Sequence, residues 1–73
     1  MRSLGLKISR KRVELKLTQA GLSRGANVDR SQLAEIEQGK ANVKIGTLRA
    51  IARALRITTS DLLKGINEFD DEI

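Results

Sequence analysis

The apolar residues of this chain recur at spacings of three and four, and nowhere alternate over a length that suggests a strand. That period marks helices that bury one face. Five short segments carry it. In the first, Leu4, Ile8 and Leu15, with Val13 alongside, recur around a basic run, Arg10-Lys11-Arg12. In the second, Thr18 is placed to cap a helix from Gln19 to about Ala26. Asn27 follows it, the non-glycine residue best suited to a left-handed exit. The third segment has the clearest start: Asp29 with Gln32 three residues on fits a reciprocal capping box. It is expected to run to Glu37 or Gln38 and to stop at Gly39. The loop KANVK leads to a fourth helix whose apolar stripe is Ile45, Leu48, Ile51, Ala52 and Leu55. Thr58 caps a fifth, in which Asp61 favours the helix dipole and Leu62, Leu63 and Ile66 are apolar. Gly65 lies inside that helix or ends it, and the acidic tail 67–73 is expected to fray. The expected fold is all-α, a single domain of five short helices over residues 1–73 with no internal repeat and no linker.

The second and third helices are joined by about three residues, the connection length of a helix-turn-helix, here about 18–38. Counted from Gln19, apolar residues fall at the fourth, eighth, tenth, fifteenth and eighteenth positions: Leu22, Ala26, Val28, Leu33 and Ile36. The fifth is the small Ser23, where two steeply crossing helices have little room. With Leu33 and Ile36 turned inward, Arg30, Ser31, Ala34, Glu35 and Gln38 are left on the outer face of the third helix.

Composition changes this picture mainly by exclusion. A chain of 73 residues buries only about 60% of the surface its unfolded form exposes, so every apolar side chain counts. With 40% apolar and 32% charged residues it reads as globular rather than disordered. It has no Cys, His, Tyr or Trp, so no disulfide or thiolate metal site is possible and the usual general bases and nucleophiles are mostly missing. The nine carboxylates are dispersed. Neither enzymatic activity nor a cofactor is expected. No apolar run approaches the ~20 residues of a membrane span, and no signal-peptide block opens the chain, so a cytoplasmic location is expected. Charge is uneven. Residues 1–64 hold all 14 Lys and Arg against five acids, a balance of +9, while residues 65–73 hold four acids and no base. A basic surface favours a polyanionic partner, nucleic acid first, although a merely solvated surface is the plain alternative. A single aromatic residue argues against stacking on unpaired bases.

The segment KRVELKLTQAGLSRGANVDRSQLAEIEQGKANVKIGTLRAIARAL resembles the phage-repressor (Cro-like, xenobiotic-response-element type) helix-turn-helix family. The resemblance covers roughly residues 4–64. Its most specific elements are LTQ at 17–19, IEQGK at 36–40, and LRAIARAL followed by TTSDLL; their order and spacing carry it, since each alone is weak. It implies a five-helix, lambda-repressor-like DNA-binding domain that usually works as a homodimer on a two-fold-related operator. The chain departs from the family at several places. Lys16, Asn27 and Arg56 stand where glycine is frequent at helix exits, and a left-handed Lys or Arg costs roughly 1 kcal/mol or more, so these corners are expected to be reshaped. Gly21 and Gly25 lie inside the second helix, each weakening it by roughly 1 kcal/mol relative to alanine. Lys44 occupies a position where a capping Ser or Thr is common.

Arg30 and Ser31 fall in the first turn of the third helix, the part of this motif that enters the major groove. An Arg there can bond guanine O6 and N7 together, worth ~1–3 kcal/mol against a wrong base, or else contact phosphate or only water. Glu35 can accept from cytosine N4 or orient a neighbouring Arg, or be a plain surface acid; Ala34 can touch a thymine methyl. Asp29 reads as a cap. Thr18, Gln19 and Gln38 flank the reading face as candidate phosphate ligands, Gln19 through its backbone N–H at a helix start. The resemblance adds Lys40, Asn42 and Lys44 as a phosphate grip, Gln19 as a brace for the reading residues, and Arg12 with Glu37 as a partly buried ion pair between the first and third helices. Ile57, Leu62, Leu63, Ile66 and Phe69 exceed what one small core needs; some are core, and the more exposed ones are expected to form a dimer interface.

The expected function is a dimeric regulator reading a palindromic operator in double-stranded DNA and acting on its own promoter, without a small-molecule effector or membrane association. The resemblance leaves a phage-type repressor, a restriction-modification controller and an antitoxin as settings, with VDRS inclining towards the controller. The rival reading is a protein-interaction module that masks a partner through Leu62, Ile66, Phe69 and the acidic tail.

Overall fold

The computed structural model describes residues 2–64. They form α1 (Arg2–Glu14), α2 (Gln19–Ala26), α3 (Arg30–Glu37), α4 (Ile45–Ala54) and α5 (Thr59–Leu63). Three starts are set by side-chain oxygens. Thr18 Oγ1 accepts from Gly21 N and Thr58 Oγ1 from Asp61 N, each at 2.9 Å. Asp29 Oδ2 accepts from Ser31 N at 3.1 Å and Gln32 N at 3.4 Å. Each satisfies first-turn donors that the helix itself cannot pair. The start of α4 differs, because Lys44 makes no side-chain cap bond.

Four of the five helices end in one way. Leu17 N donates to Arg12 O, Val28 N to Ser23 O, Lys40 N to Glu35 O and Ile57 N to Ala52 O, all at 2.9–3.0 Å. These six-to-one bonds close Schellman turns, which need a left-handed residue just before the donor. Those residues are Lys16 (φ 61°), Asn27 (φ 54°), Gly39 (φ 76°) and Arg56 (φ 61°). The corners at Lys16 and Arg56 are therefore not reshaped; the chain accepts the strained conformation because the turn bond and the packing behind it outweigh the cost.

Each helix supplies the core: Leu4 and Ile8 from α1, Leu22 and Ala26 from α2, Leu33 and Ile36 from α3, Leu48, Ile51 and Ala52 from α4, Leu62 from α5, with Leu55 after α4. α2 packs on α4 and α3, α1 on α3 and α5, and α4 on α5. Ser23 is buried at the α2 crossing, its hydroxyl donating to Ala20 O. Two expected core residues face water. Val13 is 61% exposed, since nine residues from Leu4 at 100° each place it half a turn out of phase. Ile45 is 63% exposed although its phase is right. It is the first residue of α4, and helical side chains lean towards the N-terminus, so it overhangs the end of the core. The fifth helix closes at Leu63, with Lys64 extended and its carbonyl accepting from Lys7 Nζ of α1.

Candidate nucleic-acid interface

Asn27, Val28 and Asp29 join α2 to α3. The left-handed Asn27 turns the chain, half-buried Val28 fixes the corner on the core, and Asp29 starts the next helix. Leu33 and Ile36 are completely enclosed, which fixes the rotation of α3 about its axis. Arg30, Ser31, Glu35 and Gln38 then stand exposed on the outer side with Ala34 half-buried among them. None of those four polar side chains makes a hydrogen bond or ion pair among the described residues. Among the described residues Glu35 thus has no arginine to orient. A short, rigid helix holds a row of donors and acceptors whose capacity is unspent.

Beneath this face lies a polar junction. Glu37 accepts from Arg12 Nε at 2.8 Å (Oε2), from the Arg12 terminal nitrogen Nη2 at 3.1 Å (Oε1) and from Gln19 Nε2 at 3.2 Å (Oε1). Arg12 Nη1 donates to Leu17 O at 2.9 Å. The side chains of Arg12 and Glu37 are only 15% and 5% exposed. One carboxylate thus ties the end of α1 and the start of α2 to the end of α3, and Arg12 adds the connection before α2. The pair expected from Arg12 and Glu37 is present. Gln19 braces it, a link that spacing could not reveal because the partners are 18 residues apart.

At the edge of the face, Thr18 uses its oxygen as a cap but keeps a hydroxyl proton to donate. Gln19 has its side chain on Glu37, leaving its first-turn backbone N–H as its candidate phosphate ligand. Lys40, Asn42 and Lys44 are exposed in the α3–α4 connection, their side chains unpaired among the described residues. Two glycines hold α1 against α3. A Cβ on Gly5 would lie 2.4 Å from Ile36 O and 2.7 Å from Glu37 O, and one on Gly39 would lie 2.9 Å from Arg2 Cα. Sequence reasoning missed Gly5; its signal is a glycine on the inward face of an amphipathic helix, between Leu4 and Ile8.

The candidate dimer residues separate. Leu62 is enclosed in its own core and is not available to a partner, Ile57 is half-buried, and Leu63 is 40% exposed. Ile66, Phe69 and the acidic tail lie outside the described residues. Among the described residues no helix is long and apolar enough to cross a membrane, and no three His, Cys, Asp or Glu gather as a metal site.

A helix-turn-helix family model matches residues 8–62. The immunity repressor protein of Bacillus phage phi105 is 43% identical over 61 residues, which are 84% of this chain and 42% of the repressor. The chain therefore spans less than half the length of that relative. Among solved structures, the restriction-modification controller protein C.AhdI from Aeromonas hydrophila superposes with a TM-score of 0.79 at 29% identity, covering 81% of this chain and 89% of the controller. The clp gene regulator ClgR from Corynebacterium glutamicum gives 0.82 at 26% identity, over 85% and 66% of the two chains. A chain of the SinR–SinI protein complex gives 0.82 at 27%, over 90% and 65%.

Proposed function

We propose, because this chain belongs to the Cro-like helix-turn-helix family, that it is a transcription regulator binding a palindromic DNA operator as a homodimer. The observation that carries the reading is the outer face of α3, whose polar side chains have no partner among the described residues while the helix beneath them is fixed by buried contacts. Such a face has no hydrogen bond among the described residues to break on binding, and a fixed helix presents its donors and acceptors to base edges.

Arg30 and Ser31, in the first turn of α3, enter the major groove, with Ala34 and Glu35 one turn on. Glu35 accepts from an exposed cytosine amino group, and Ala34 allows close approach to a thymine methyl. Thr18, Gln19, Gln38, Lys40, Asn42 and Lys44 take phosphates on either side, setting register without reading sequence. Leu63 and Ile57, with Ile66 and Phe69, join two copies so that their reading helices lie about 34–36 Å apart, one turn of the duplex. Control through dimerisation and occupancy of its own promoter, as a restriction-modification controller or a phage-type repressor, suits a unit of this kind.

The test is a division of labour. A duplex is first selected from a random library with the purified protein. Arg30→Ala should then lose discrimination at one base position of that duplex, by ~1–3 kcal/mol. Lys44→Ala should weaken selected and random duplexes alike and flatten the salt dependence by about one phosphate. Equal losses on both duplexes for both variants would overturn the assignment.

A further inference from the structure

We propose that Arg2 is a further DNA-phosphate ligand, seated by α1 at the end of the reading helix and completing a cationic arc with Lys40 and Lys44. The inference rests on the DNA-binding reading above and extends its contact surface to a helix that reading leaves out.

The first turn of α1 lies directly on the exit of α3. At Gly39, a Cβ would meet Arg2 Cα at 2.9 Å, Arg2 Cγ at 3.1 Å and Arg2 N at 3.2 Å. This is the one of the four left-handed exits that is occupied by glycine, and the one where Arg2 leaves no room for a side chain. One turn further along α1, Gly5 presses on the carbonyls of Ile36 and Glu37 in the same way. Two backbone-to-backbone contacts thus set the position of Arg2 relative to α3. Its side chain starts between Gln38, the last residue of the outer face, and Lys40, the first of the following connection.

The guanidinium has no task among the described residues. Arg2 is exposed and makes no hydrogen bond or ion pair among the described residues. Other cations are used within the fold: Arg12 on Glu37, Lys11 on Glu14, Lys7 on Lys64 O. Arg2 is set by close backbone contact on Gly39, at the exit of the reading helix. A planar fork of donors on a fixed stem suits a phosphate oxygen pair, and a backbone-fixed origin lowers the conformational freedom lost on contact. A merely solvated Arg2 is the alternative, and salt dependence separates the two.

Binding of wild type, Arg2→Ala, Arg2→Lys and Lys40→Ala to a labelled random-sequence duplex two helical turns long is measured across salt concentration, with a thermal melt of each variant. Loss of one phosphate contact lowers the slope of log K against log salt by about 0.9. The deficit of Arg2→Ala should therefore shrink roughly three- to fourfold between about 50 and about 200 mM salt, with Arg2→Lys restoring most of the slope. A wild-type slope in Arg2→Ala, or a loss that Arg2→Lys does not recover, overturns the proposal for Arg2 alone while the slope change of Lys40→Ala leaves the DNA-binding reading standing. Failure of the wild type itself to bind duplex overturns both.

Discussion

Glu37→Leu removes the shared acceptor of three side-chain hydrogen bonds and leaves the Arg12 guanidinium largely enclosed, with only Leu17 O as a partner. The Arg12 side chain is 15% exposed, so water can compensate little of what it loses. Stranding one member of such a pair typically costs about 3–5 kcal/mol. A domain of this size has about 3–10 kcal/mol in all, so the variant should sit near the edge of unfolding at room temperature. Urea denaturation followed by far-ultraviolet circular dichroism measures this, since the chain has no Trp or Tyr to report by fluorescence. The decisive companion is Arg12→Met combined with Glu37→Leu. With no unpaired charge left inside, the double variant should recover to within about 1–2 kcal/mol of wild type, far better than the sum of the single losses. A Glu37→Leu loss below about 1 kcal/mol, or a double variant as damaged as the sum, would refute the view that the junction is held by charge pairing.

Lys16→Gly and Arg56→Gly should each stabilise the protein by about 0.5–1 kcal/mol: relief of ~1–2 kcal/mol of left-handed strain is partly offset by the freer unfolded chain. An unchanged denaturation midpoint for both would show that these corners are not strained. Gly5→Ala should cost at least about 1–3 kcal/mol, because its methyl meets the Ile36 carbonyl at 2.4 Å and α1 must lift from α3; a melting temperature equal to wild type would contradict that seam. Leu63→Glu should shift the sedimentation profile to monomer and weaken operator binding without unfolding the chain, whereas an unaltered profile would place the interface elsewhere.

What could be read along the chain was local chemistry with one available outcome. A hydroxyl or carboxylate just ahead of an apolar-periodic run, as at Thr18, Asp29 and Thr58, has the first-turn N–H groups as its nearest partners. Asn27 after α2 has few other uses. The orientation of α3 followed from Leu33 and Ile36 for the same reason. What escaped was set by where helices cross. Periodicity assigns Ile45 to the apolar side of α4 but cannot show that the core stops one turn short of it. Leu62 and Leu63 are alike in sequence; only the direction from which α1 and α4 meet α5 decides that the first is enclosed and the second open. Gly5 and Arg2 matter through contacts with residues more than 30 positions away, which no local pattern announces. The Arg12–Glu37 pair was anticipated only through family resemblance.

The face of α3 and its foundation do not share atoms. Among the described residues, Arg30, Ser31, Glu35 and Gln38 make no side-chain bond, and the foundation asks nothing of them. Those positions can accordingly be exchanged as a set, like type in a fixed forme, with the scaffold indifferent to the letters it prints. If that face reads DNA as proposed, a handful of outward substitutions would change what it recognises at little thermodynamic risk to the frame beneath.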